Sequence, residues 1–227
     1  MEDRISRLAV KTKPRRAAVD ERGGGLTVRD LVACYAPFMP SSDWLADLAP
    51  ERVRPLKRVE YERLVEAGFF DDERIELLGG VIVEMSPQDP RHAAAVARLS
   101  KVLTLAATPE MSVRSQLPFG ASDDSLPEPD VAVVPRGDYD DAHPRQALLI
   151  VEVANTSLRK DRSIKSALYA HAGVPEYWVV DVAARRVEIL NQPRGDAYTS
   201  TSIARPGDVI RVGSLGDVAI AVDDFLR

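Results

Sequence analysis

The chain has 227 residues, 45% of them hydrophobic and 29% charged, the balance of an ordinary folded protein long enough to bury a sizeable core. Its 30 basic and 35 acidic residues leave a formal net charge of −5, which argues against coating nucleic acid by bulk charge. The single cysteine, Cys34, excludes an intrachain disulfide framework and a Cys-rich zinc site, and the absence of a long apolar run or a signal-peptide core in Met1–Val19 leads us to expect a cytoplasmic protein without a membrane span.

Residues 1–25 mix basic side chains from Arg4 to Arg22 with the Gly23-Gly24-Gly25 run and show no sustained apolar stripe. Residues 26–56 offer two short helical stretches, Leu26–Tyr35 and around Trp44–Leu48, punctuated by prolines. We therefore expect a flexible or loosely packed extension over residues 1–55 and one domain over 56–227. The regular pattern begins with a helix at Val59–Ala67, closed by Gly68. Strand-like Arg74–Leu78 and Val81–Met85 flank Gly79-Gly80, a primed-turn hairpin signal. Asp89-Pro90 is a strong helix start, and Val96, Leu99, Leu103 and Ala106 recur at helical spacing to Ala107. Strands are expected at Val113–Phe119 and Asp130–Val134. The almost wholly apolar Ala147–Ala154 reads as a central strand covered on both faces. Arg159–Ala172 reads as a helix that docks Ile164 and Leu168 on the sheet, capped by Gly173 and stopped by Pro175. A hairpin follows at Tyr177–Val182 and Arg186–Leu190, then strands near Tyr198–Ile203, Val209–Val212 and Val218–Val222. The order predicts an α/β fold with a mixed β-sheet flanked by helices.

Four residues stand out chemically. Glu152 lies inside the apolar strand LLIVEV, where an isolated carboxylate is costly. Metal coordination or a lysine partner would justify it. Asp130 follows Pro129 at the head of a neighbouring apolar strand. Lys165 falls in the next helix and shares a face with Asp161 and Tyr169 at i, i+4 spacing. Glu76 lies in the first hairpin. Two carboxylates on neighbouring strands suit a hard divalent cation such as Mg²⁺, with Mn²⁺ as a substitute. A nearby lysine suits water positioning or the stabilisation of charge on a phosphoryl group.

The segments EPDVAVV, LLIVEV and KDRSIKSALYAHAGVPEYWVVD resemble the Uma-two family of restriction-endonuclease-like proteins, part of the PD-(D/E)XK nuclease-like superfamily. IELLGGVIVEMSP and RHAAAVARLSKVL extend the resemblance over about residues 58–224. It implies a restriction-endonuclease-like core, a homodimer, DNA as substrate and a Mg²⁺-dependent endonuclease. Carried over by residue, Asp130 is the motif acid and a metal ligand, Glu152 the second acid, and Glu76 a further ligand. Ala154 stands where the simple motif has lysine, and Lys165 takes that role from the next helix. The family's acidic turn residue is replaced by Gly79-Gly80, which leaves Glu84 with no clear role.

Each of these residues also has a plain reading. Asp130 can shape a strand start, Glu152 can form a structural ion pair with Lys165, Lys165 can be a solvated helix lysine, and Glu76 a strand-end charge. Tyr169 reads best as core and His92 as a surface or hinge residue, with a phosphate contact at the helix N-terminus as the sharper alternative. Arg91, Arg98, Lys101, Arg159, Lys160 and Arg162 are candidates for a phosphate-facing rim. The rival to an endonuclease is a catalytically inactive binding or assembly module on a nuclease-like scaffold.

Overall fold

Gly79 and Gly80 both take positive φ, 57° and 78°, so the chain reverses between β1 (Ile75–Leu78) and β2 (Val81–Glu84) in the expected primed hairpin. The computed structural model describes residues 54–154 and 157–227, so the expectations for residues 1–53, Cys34 among them, lie outside the described residues. Helix α1 (Arg58–Glu66) precedes the hairpin and buries Tyr61 against Phe70 and Leu77. Its start is tied by Glu60, which accepts from the Lys57 backbone N–H. Helix α2 (Pro90–Ala106) starts where Asp89-Pro90 places it. The Asp89 carboxylate accepts from the N–H groups of Arg91 and His92, and Pro90 occupies a position needing no donor.

Six strands form the main sheet: β3 (Met111–Ser115), β4 (Val131–Pro135), β5 (Leu149–Ala154), β6 (Glu176–Asp181), β7 (Arg186–Arg194) and β8 (Ala197–Ala204), in spatial order β3-β4-β5-β6-β7-β8. Only β5 and β6 pair in parallel, so the sheet is mixed, as expected. The parallel pair needs a crossover, and the helix Leu158–His171, α3, supplies it. β9 (Val209–Val212) and β10 (Val218–Ala221) form a separate two-stranded sheet.

Alternation along β5 decides what each face holds. Leu149, Val151 and Val153 join Leu99, Leu103, Trp178, Ile210 and Phe225 in a core under α2 and the β9–β10 pair. Ile150 and Ala154 enter the opposite core with Phe119, Tyr169 and Tyr177. Glu152 shares their parity and therefore points to the α3 side. Every residue of β5 is buried, which accounts for its near-continuous apolar run.

Two expectations are corrected here. β3 ends at Ser115 rather than Phe119, because Gln116 takes φ 53° and its N–H turns back to the carbonyls of Pro129 and Asp130. A non-glycine residue in left-handed conformation leaves no signature in the hydrophobic pattern. The second concerns the face of α3. Ile164 is 56% exposed and Leu168 only half-buried, while Asp161, Lys165, Ser166, Tyr169 and Ala170 face inward. The helix is α-helical at Leu158–Lys160, π-helical at Asp161–Lys165 and α-helical again at Ser166–His171. The wide turn changes the phase of the helix, and the partner awaiting it on the sheet is a buried carboxylate, not an apolar hollow. We accordingly expect Ile164→Asp to alter stability by no more than about 0.5 kcal/mol, and Leu103→Ala, on the buried face of α2, to cost about 2–5 kcal/mol. Chemical denaturation of the two variants checks this. Destabilisation by Ile164→Asp comparable to that of Leu103→Ala would contradict the orientation of α3.

Candidate active site

The site forms where β4 and β5 run side by side under the start of α2 and the π-helical turn of α3. Val131 pairs with Val151, so Asp130, one residue ahead of β4, lies across from Glu152. The Asp130 carboxylate oxygen Oδ2 accepts from the Val153 backbone N–H at 2.8 Å. The same oxygen lies 3.1 Å from His92 Nε2, which the capped first turn of α2 holds over it. Glu152 Oε1 accepts from Lys165 Nζ at 2.9 Å and from the Tyr169 hydroxyl at 2.7 Å. Lys165 Nζ also lies 3.0 Å from Glu76 Oε2. Lys160 Nζ donates to Glu76 Oε1 at 2.6 Å, and the Glu128 N–H reaches Glu76 Oε2 at 3.3 Å. The result is an alternating line of charges, Glu152, Lys165, Glu76, Lys160, with Asp130 and His92 beside it.

Burial gives these charges their weight. Lys165 is 2% exposed and Glu76 wholly buried, so their pairing is what offsets the desolvation of each. Burial pushes the Glu152 carboxyl up to about 8, the nearby Asp161, Asp130 and Glu76 add to the effect, and Lys165 opposes it without prevailing. For Lys165, burial favours the neutral amine, but Glu152, Glu76 and Asp161 outweigh it and hold the ammonium above its ordinary value. Burial would likewise raise Glu76, yet Lys165 and Lys160 bring it below the ordinary carboxylate value. Asp161, which accepts from the Ser157 hydroxyl at 2.5 Å, is raised by burial. Burial favours neutral His92, and the hydrogen bond and charge of Asp130 reverse this, so the imidazole is raised.

A cleft of about 70 Å³ opens here, room for several waters, with walls that include Arg74, His92, Glu128, Asp130, Glu152 and Lys165. Asp130, Glu152 and Lys165 thus come together as the sequence suggests. Glu76 joins them only through Lys165. It is absent from the cleft wall, and lysines hold both of its carboxylate oxygens, so it does not complete a three-carboxylate shell. Among the described residues no group of three or more His, Cys, Asp or Glu side chains is disposed to cage a metal. Mg²⁺ does not require such a cage. It commonly takes one or two carboxylates and keeps several waters or substrate oxygens. Asp130 and Glu152 offer hard oxygen donors, and a dication would favour the ionised form of Glu152 that burial disfavours. The pair fits the ion.

Other residues had weaker signals. His92 carries one in the Asp89-Pro90 helix start, which fixes its place in the first turn, but nothing local reveals Asp130 below it. Lys160, read as a rim cation, is spent on Glu76, and Arg162 is paired with Glu188 and Asp181. Glu128 stands two residues before Asp130 in EPD and lines the same cleft. Tyr169 is both core and site, packed on Phe119 and Tyr177 while its hydroxyl holds Glu152. Glu84, in the exposed β2, has no place in the cleft wall.

No curated protein matches the chain. Among solved structures it is similar to one described as a "putative nuclease belonging to DUF820 from Anabaena variabilis ATCC 29413", with a TM-score of 0.61 and 16% identity, covering 76% of this chain and 98% of that one. The likeness shows that the two chains share a fold. No helix among the described residues is long and apolar enough to cross a membrane. The profile of the Uma2 family, described as "Putative restriction endonuclease", matches residues 58–223, well over half of the sequence, and the chain belongs to that family.

Proposed function

We propose that the protein is a divalent-metal-dependent endonuclease that hydrolyses phosphodiester bonds in DNA. The observation that carries this reading is the meeting of Asp130 and Glu152, from adjacent strands, on one polar cleft whose second wall holds a buried lysine 2.9 Å from Glu152. Asp130 and Glu152 would hold Mg²⁺, or Mn²⁺ in its place. The bound ion would supply Lewis-acid polarisation of the phosphate and a more acidic water. Lys165, kept protonated by its two glutamates, serves as a fixed positive charge for the phosphoryl oxygens rather than as a base. Glu76 and Tyr169 are positioning residues: one anchors the ammonium, the other fixes the Glu152 carboxylate. His92 orients Asp130 through Oδ2. Net charge gives no objection, since what matters is the charge near the cleft.

Calorimetric titration with Mg²⁺ at millimolar concentration tests the cation site. Wild type should bind and Asp130→Asn should not; equal heats from both would remove the ion from this cleft. The pH dependence follows from Glu152. Its carboxyl must ionise to take the cation, and its value in the metal-free protein is about 8. Mg²⁺ affinity should therefore fall by roughly 50-fold from pH 8 to pH 6, as the proton competes, and Glu152→Gln should lose most of that dependence. A pH-independent affinity in wild type would contradict the assignment of Glu152 as a ligand.

A further inference from the structure

We propose that a groove along α2 is the track for the sugar–phosphate backbone of the DNA held in the cleft, with Arg91, Arg98, Lys101, Arg185 and Arg227 as its phosphate contacts. This rests on the nuclease reading of the cleft and adds the surface that holds its substrate. The groove neighbours the cleft at the first turn of α2: Asp89 and His92 line the cleft, while Pro90 and Arg91, on another side of the same turn, line a second hollow. That hollow, about 530 Å³, is bordered by Arg91, Arg98, Arg185 and Arg227. It continues past Arg98 and Arg227 into one of about 550 Å³ that adds Lys101 on the floor laid by Val102, Val218 and Ile220. The two hollows carry five cations against one acid, Asp224, in a chain whose net charge is −5.

Arg91, Lys101, Arg185 and Arg227 are exposed, and among the described residues none of the five cations is in an ion pair. Lys160, Arg162 and Arg186, on the α3 side, are all committed to carboxylates. Arg98 alone is anchored, its Nε donating to the Phe225 carbonyl at 3.0 Å, and it lines both hollows. Arg91 and Lys101 are ten residues apart on one helix, about 15 Å at 1.5 Å per residue. That span is long enough to meet successive phosphates of one strand. A row of unneutralised cations at this length, beginning at Arg91 beside the cleft residue His92, is the charge pattern of a backbone track.

The test is DNA binding to the full chain in Ca²⁺, measured by fluorescence anisotropy on a labelled duplex over a range of salt. Cleavage of the same duplex in Mg²⁺ is followed in parallel. Arg91→Glu/Lys101→Glu/Arg185→Glu should bind at least 100-fold more weakly than wild type. Its slope of log affinity against log salt should shrink by about 2 to 3. A control of equal charge change on exposed positions elsewhere, Arg63→Glu/Lys57→Glu/Arg194→Glu, should lose less than 10-fold. Equal losses in the two triple variants, or an unchanged salt slope in the first, would overturn the track while wild-type cutting left the nuclease reading standing. A wild type that neither binds nor cuts the duplex would remove both. Preference for duplex RNA over DNA in wild type would overturn the choice of DNA as the partner.

Discussion

Glu152→Gln should lower metal-dependent DNA cleavage by about a thousandfold while leaving the fold intact. The substitution is nearly isosteric. Its amide oxygen can still accept from Lys165 at 2.9 Å and Tyr169 at 2.7 Å, the two bonds that hold the side chain in wild type. What disappears is the negative charge. A metal that polarises a phosphate is worth several kcal/mol in the transition state, and about 1.4 kcal/mol is a factor of ten. Losing about 4 kcal/mol of that term gives the thousandfold. Far-ultraviolet circular dichroism should stay close to wild type, and so should the melting temperature near pH 7 without metal, where burial already keeps the Glu152 carboxyl largely protonated and Lys165 retains Glu76. If cleavage survived at a tenth or more of the wild-type rate, Glu152 would be a structural partner of Lys165 and not a ligand.

Lys165→Met should lower stability as well as abolish cleavage. Lys165 is the shared cation of Glu152 and Glu76, both buried, and methionine fills its length without its charge. Removing one partner of a buried ion pair costs about 3–5 kcal/mol. For a domain of this size that is a fall of roughly 6–20 °C in melting temperature. The sign of the pH dependence is a sharper readout. Without Lys165, burial keeps the Glu152 carboxyl above its unfolded value, so the folded state binds the extra proton. The variant should therefore regain stability as pH falls from 8 to 5, and adding Glu152→Gln should abolish most of that gain. Cleavage should be lost at every pH, since the charge that faces the phosphate is gone. An unchanged melting temperature would mean that the Glu152–Lys165–Glu76 line does not form.

The parts of the fold written in local chemistry were legible. Gly79-Gly80 and Asp89-Pro90 are backbone requirements that only a few residue types meet, and both predict their elements. Glu152 announces itself because a charge inside an apolar strand has few explanations. The face of α3 was not legible. Ile164 and Leu168 look like a core stripe, and only the buried Glu76 and Glu152 explain why Lys165 and Tyr169 face inward instead. Glu76 shows the same limit from the other side. Its acidity marks it as part of the site, yet whether it meets a metal or a lysine depends on Lys160 and Lys165, more than eighty residues along the chain. His92 and Asp130 meet through a helix and a strand that are distant in sequence, a contact no spacing rule predicts.

The most direct measurement incubates purified protein with supercoiled plasmid DNA, with Mg²⁺ and with a chelator, beside Asp130→Asn and Glu152→Gln. Wild type in Mg²⁺ should yield nicked or linear plasmid, and the plasmid should stay intact in every other lane. Cutting that persists in the chelator, or equally in both variants, would contradict a metal-dependent site built on Asp130 and Glu152.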